Sequence, residues 1–348
     1  MHLQQHHLSE RLTTDLIFKL PTELWHIIAR FLPLASRAAM ILASRQWLTI
    51  LGAQPWSMLQ LPEYRKQRLA FLNLIDCELP DHVLCHRCAI YHTRPSVYAG
   101  HPEWQLKMHG VYYATLAERV LLPFYVVQMA IRANKLGPRF GNPELQTMSW
   151  GHCYRLDASP TSTMLGYDGW SHSWSYAIVD GKFLIRFDSA RYVDMNTDIY
   201  DFHSGEGGRL RIERTITRCR HLRSGLDKVC QCAVSHIQPD VQPTLPCDKC
   251  RPLRICYACA TEYLVRVERS GDAHVLTVSR WSDLGDGLDP TSQEWDMTSW
   301  YAYRGEHLGQ PPTVRSRFEL SFGRDVSDEA FIVISSVELC DPWYYGIP

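Results

Sequence analysis

The chain reads as an α+β fold in which helices come first and strands second. Three observations carry this reading. From Leu20 to Lys135 apolar residues recur mostly at helical spacing. From Trp174 onward they alternate with polar neighbours, the period of a half-buried strand. Seven cysteines crowd the segment from Cys219 to Cys259, and the first part of the chain matches that only with the pair Cys85 and Cys88. The expected divisions are a three-helix module at 16–60, a helical connector with a Cys-x-x-Cys turn at 61–137, and a β-rich, cysteine-containing domain at 150–348.

In the first helix Leu20, Leu24, Ile27, Ile28, Phe31 and Leu32 share one face. Pro21 suits the first turn, where its missing N–H would have no partner anyway. Pro33 ends the helix by pushing the residue before it out of the α region. Ser36 is a candidate N-cap for a second short helix running through Ala39 to Leu42. A third carries Trp47, Leu48 and Leu51, with Gly52 fitting its C-terminal cap. Such a module has only about 40 residues, near the lower limit for a core that stands alone. Its spare apolar surface must therefore bury against a partner or the rest of the chain.

Pro62 to Leu79 reads as one more helix, with Tyr64, Leu69, Phe71, Leu72 and Ile75 as its apolar set. Val111 to Lys135 reads as helical in whole or part, kinked or divided at Pro123 and stopped at Leu136-Gly137-Pro138. Trp174, Tyr176 and Ile178, then Phe183, Ile185 and Phe187, flank Asp180-Gly181, which predicts a hairpin. Leu210 to Ile216 predicts a strand. A second hairpin runs from Tyr263, Val265 and Val267 through Ser270-Gly271-Asp272 to Val275–Val278. Val314 to Phe322 and Phe331 to Val337 predict two further strands.

Hydrophobic residues make up 45% of the 348, enough for a sizeable core. The formal net charge of −1 argues against a protein whose main task is to neutralise a phosphate backbone. No apolar run is long enough to span a bilayer. Met1 to Glu10 lacks an apolar h-region, so no secretory signal is expected, and the cytoplasm or nucleus is the expected compartment. There the 12 cysteines point to metal binding rather than to a disulfide framework.

Cys-x-x-Cys turns bring two sulfurs onto one tight knuckle, half the shell of a tetrahedral zinc ion. Two such knuckles follow closely, Cys247/Cys250 and Cys256/Cys259, and together would make a four-sulfur site. A crossed arrangement is equally open. Each knuckle would then pair with ligands from Cys219, His221, Cys230, Cys232 and His236, and two ions would bind. Either way at least one structural zinc is expected. Cys85, Cys88 and His92 form a possible second site, and His82, His86 or His101 are candidate fourth ligands.

Leu20-Pro21-Thr22-Glu23-Leu24, then Ile28, Leu32 and Arg45-Gln46-Trp47, resembles the F-box, a helical module that plugs a protein into a ubiquitin ligase. Ala43-Ser44 replaces the usual Val-Cys, and Trp56 is a candidate for a later tryptophan of the module. The likeness extends to a group of fungal F-box proteins. Leu79-Pro80-Asp81 with Cys85 and Cys88 carries it, as do Ala130-Ile131-Arg132 with Leu136-Gly137-Pro138, and Cys256 and Cys259 with Thr261-Glu262-Tyr263. The resemblance implies a non-catalytic substrate receptor of a Skp–cullin–F-box ligase, binding a Skp-type adaptor, through it a cullin, and a protein substrate. Leu20, Pro21, Ile28 and Leu32 would be the first choice for the adaptor-facing surface. Leu24 and Trp47 complete that partner-binding set and would hold the helices together.

Two other readings stay open. One is a ligase that recruits the conjugating enzyme directly through a cross-braced zinc fold, although the spacing from Cys219 to Cys232 does not match its usual ligand order. The other is a zinc-dependent nucleic-acid-binding protein, suggested by Arg209, Arg211, Arg214, Arg218, Arg220 and Arg223 beside the cysteines. A solvated strand face is the simpler account of that run in a near-neutral chain. Trp170, Trp174, Trp295 and Trp300 either line a pocket or fill a β core. No metalloprotease, phosphate-loop or nucleophile-elbow motif occurs.

Overall fold

Prolines punctuate the first helices of the computed structural model. Helix α1 (Thr22–Phe31) starts after Pro21 and ends at an extended Leu32. Helix α2 (Leu34–Ala43) starts directly after Pro33, three residues earlier than a cap at Ser36 predicts. The fixed φ of Pro33 presets the turn, and its carbonyl accepts from Arg37 N at 3.1 Å. Helix α3 (Arg45–Leu51) is capped by Ser44, whose Oγ accepts from Gln46 N at 3.2 Å. It closes at Gly52, whose φ of 68° favours glycine. Described residues are 20–86, 88–93, 113–117, 120–141, 162–165, 170–193, 223–237, 247–256, 260–270, 273–292, 295, 313–324, 326 and 331–334. The chain divides into two units, Met1–Ala99 and Gly100–Pro348.

In the first unit α4 (Gln54–Leu59) and α5 (Arg65–Leu74) follow, with a short 3-10 turn on either side of α5 at Pro62–Tyr64 and Asp76–Glu78. The helix expected from Pro62 to Leu79 is thus an α-helix between two tighter turns. Leu34, Ala38 and Leu59 form the core, packed by Trp56, Met58, Tyr64 and Phe71. Trp56 Nε1 donates to Ala38 O at 3.2 Å. Trp47 is buried edge-on against Trp25, with ring centroids 4.4 Å apart. A hairpin of β1 (His82–Cys85) and β2 (Ile90–Thr93) completes the described part.

In the second unit the expected helix across Val111 to Lys135 forms only in its second half. Strands β3 (Tyr113–Ala117) and β4 (Val120–Pro123) pair antiparallel, and helix α6 (Phe124–Leu136) follows at once. Tyr113, Thr115 and Val120 favour a pleated surface, and Pro123 cannot sit inside a helix but ends β4 without loss. Gly137, at φ 102°, stops α6.

The main sheet has seven strands in the order β11-β8-β9-β10-β7-β6-β5. They are β5 (Ser162–Leu165), β6 (Trp170–Val179), β7 (Lys182–Val193), β8 (Leu253–Cys256), β9 (Thr261–Ser270), β10 (Ala273–Asp283) and β11 (Phe331–Ile334). All neighbours run antiparallel except β11 and β8, which are parallel. Both predicted hairpins are present. Asp180 at φ 52° and Gly181 at φ 73° make the tight turn between β6 and β7. The strand expected at Leu210–Ile216 lies outside the described residues.

The strand expected at Val314–Phe322 is instead helix α8 (Val314–Ser321). Val314, Phe318 and Phe322 are four apart, so they satisfy an alternating pattern as well as a helical one. The cap decides, because Thr313 Oγ1 accepts from Ser316 N at 3.1 Å. A helix not foreseen in the cysteine segment, α7 (Arg223–Ser235), has Leu226, Val229, Cys230, Ala233 and Val234 at helical spacing. They pack against Tyr263, Val265, Leu276 and Val278 on one face of the sheet. On the other face Val314 and Phe318 of α8 pack with Leu184, Leu253, Ile255, Leu264 and Trp281.

That second face also buries charge. Glu262 accepts from the first two backbone N–H groups of α8, Val314 and Arg315, and so caps the helix from β9. Glu319 Oε1 accepts from Trp281 Nε1 at 3.1 Å and Arg186 Nη1 at 3.0 Å, while Arg324 lies 2.9 Å from Oε2. Arg186 and Arg315 stack over Trp281, 5.3 and 5.1 Å from the ring centroid. Trp174 and Trp295 fill the interior, the latter edge-on to Phe124 at 4.9 Å. The side chain of Trp170 and all of Trp300 lie outside the described residues. Among the described residues no helix is long and apolar enough to cross a membrane.

Candidate functional site

Helix α7 sets up the best-defined constellation. With Leu226, Val229, Cys230, Ala233 and Val234 turned to the sheet, Cys232 stands on the flank of the helix. His236, four residues on, falls on the same side one turn later. The turn at Cys247–Cys250 comes up against both. Cys232 Sγ lies 3.7 Å from His236 Nε2 and 3.6 Å from Cys247 Sγ. The donor atoms of Cys232, His236, Cys247 and Cys250 all lie within 4.8 Å of one another, an arrangement that can hold a metal ion.

The electrostatics favour a cation. Backbone N–H from Lys249, with help from His236, Cys250 and Cys232, draws the Cys247 thiol down to about 6. Burial pushes Cys250 up to about 12, and burial together with Cys247 raises Cys232. One sulfur thus ionises readily while two hold their protons, so a cation bound at this cluster would displace protons from them. The Arg254 guanidinium sits close enough to feel these sulfurs, and burial lowers its own pKa. It donates to Pro252 O at 3.1 Å and to Lys249 O, clamping the turn that carries the ligands.

The knuckle Cys247/Cys250 therefore meets Cys232 and His236, which fill four positions without Cys256. Cys256 is buried at the end of β8, and Cys230 lies wholly in the core. Cys219, His221 and Cys259 lie outside the described residues, as does the arginine run before Arg223. Cys85, Cys88 and His92 meet in the first unit, their donors also within 4.8 Å. Arg254 was not singled out by spacing; its only sequence signal is its place between the knuckles.

The second feature is the bare face of α1. Leu24, Ile27, Ile28 and Phe31 recur at helical spacing, yet they are 43%, 50%, 38% and 85% exposed. Leu20 and Pro21 are exposed beside them, and Leu32 is half-buried. Trp47 holds α3 to α1 as expected, but its partner is Trp25. Leu24, expected to help hold the helices together, is 43% exposed and forms part of the open face. Ala29 is the buried residue of α1. No family model, curated protein or solved structure matches the chain.

Proposed function

We propose that this chain is a non-catalytic substrate receptor of a Skp–cullin–F-box ubiquitin ligase, docking a Skp-type adaptor through α1 and presenting a protein substrate from its second unit. The observation that carries this reading is the open apolar strip of Leu20, Leu24, Ile27, Ile28 and Phe31. Burying a fully exposed side chain of this kind is worth ~1.5–3 kcal/mol, so an apolar groove in a partner gains most of that at Phe31 and a part of it at each of the others, which are half-covered already. The sequence pattern from Leu20 to Trp47 supplies the class of partner. Catalysis in such an assembly is proximity: the receptor raises the effective concentration of a substrate lysine near a charged conjugating enzyme.

Zinc is the ion in this reading. Zn–S bonds of about 2.3 Å in a tetrahedron put sulfurs about 3.8 Å apart, and a Zn–N bond of about 2.0 Å gives a sulfur–nitrogen separation of about 3.5 Å. The separations of 3.6 and 3.7 Å at Cys232 fit both. Its role is structural, tying α7 to the turn before β8.

Leu24→Asp with Ile28→Asp tests the adaptor reading. Both side chains are exposed, so the unit should stay folded, and co-purification with a Skp-type adaptor should fall on the order of a hundredfold or more. A folded double variant that still binds the adaptor as the parent does would overturn it.

A further inference from the structure

Independently of the adaptor reading, we propose that Cys85, Cys88 and His92 hold a second divalent ion, zinc by its donor set, in the first unit. The register of the hairpin builds the site. Cys85 pairs with Ile90 and Val83 pairs with His92, so Cys85 and His92 lie on one face as diagonal neighbours. Leu84 and Tyr91 take the opposite face, and the Tyr91 hydroxyl lies 2.8 Å from both Leu72 O and Asp76 Oδ1. The helix-facing side is thereby occupied, and the ligands are turned the other way.

The loop between the strands shows a metal knuckle in its backbone. Cys88 N donates to Cys85 Sγ at 3.4 Å, and Ala89 N donates to Cys85 O at 2.8 Å. Ala89 sits at φ 52°, a left-handed conformation that an alanine rarely adopts and that costs on the order of 1 kcal/mol. The N–H of Cys88 aimed back at the Cys85 sulfur folds the two cysteines into one tight turn, and the left-handed residue after the second cysteine redirects the chain into β2, which carries His92. Arg65 on α5 donates to His86 O and holds the loop from below. Two thiolates and an imidazole suit a borderline-soft ion. Among the described residues three donors meet here, and a tetrahedral ion completes its shell with water or a further side chain.

Zinc content of the full chain by mass spectrometry tests the site. Cys85→Ser with Cys88→Ser should hold one equivalent fewer than the parent, and so, separately, should Cys247→Ser with Cys250→Ser. Equal content in the Cys85/Cys88 variant and the parent overturns the proposal. Should that variant fail to fold, His92→Ala keeps both sulfurs. It should give up one equivalent to a chelator at least tenfold lower in concentration than the parent does, with the circular dichroism unchanged. An unchanged competition curve, or a Cys85–Cys88 disulfide in the native chain on alkylation mapping, overturns it as well.

Discussion

Helix α1 turns Leu24, Ile27, Ile28 and Phe31 to solvent, whereas α8 turns Arg315 and Glu319 into the sheet, each 3% exposed. Hydropathy by itself would place both sets the other way round. In α8 the charged groups find partners already positioned: Glu262 reaches the helix start, and Glu319 meets Arg186 and Trp281. A buried charge is tolerated where opposite charge and N–H donors meet it. In α1 the small Ala29 faces inward, and the described chain lays nothing over the outer apolar row. What the pair of helices teaches is that burial follows the supply of partners: α8 has them within the chain, and the described chain offers none to the outer row of α1.

Substitutions can break this contrast at either helix. Glu319→Ala should have the largest effect on stability, a loss of about 2–4 kcal/mol, because it leaves the buried Trp281 N–H without an acceptor and removes one of the two carboxylates on Arg186, Asp188 remaining at 2.9 Å. Denaturant unfolding monitored on the second unit measures it. A loss under 1 kcal/mol would mean that the α8 face is wet and the contrast false.

Next comes pH. Burial lifts the Glu262 carboxyl from its ordinary 4.5 to about 7, despite the two N–H groups at the start of α8. The folded chain therefore holds this proton more tightly than the unfolded chain. Below about 4.5 both states are protonated and the contribution is intact. Between 4.5 and 7 it is lost as pH rises, and above 7 the loss, ~3 kcal/mol, is complete. Glu262→Gln should unfold with a smaller difference between pH 5 and pH 8 than the parent, and an equal difference would refute the assignment.

Phe31→Ser should have the smallest effect, within about 0.5 kcal/mol of the parent in thermal unfolding, as befits an exposed site. A clear destabilisation would show Phe31 packed and would sharpen the limits of the open face.

Much of this was legible in the residues. Asp180-Gly181 between alternating runs could only be a tight hairpin, and Pro21, Pro33 and Gly52 marked the helix ends. Two of the three Cys-x-x-Cys turns were legible too, Cys85/Cys88 and Cys247/Cys250, each of which lies in a cluster that could hold a metal ion. Hidden were features that depend on long-range choice. Val314, Phe318 and Phe322 suit two periods, and only the Thr313 cap separates them. Residues from Tyr113 to Pro123 lost their helical reading to β-branched and aromatic preference. The partners of Cys247 and Cys250 followed from α7, whose Gly225, Asp227, Val229 and Ser224 are weak helix formers. Its apolar spacing was present all along, and it alone puts Cys232 and His236 side by side.

The parallel pairing of β11 with β8 has a consequence in time. Ribosomes deliver about 5–20 residues each second, so the roughly 80 residues between the two strands take on the order of 4–16 s to emerge. Through that interval one rim of β8 is unzipped in the nascent chain, beside a sulfur-rich turn. An unpaired strand edge can join a wrong partner, so the length of that interval bears on the yield of this protein alongside its final stability.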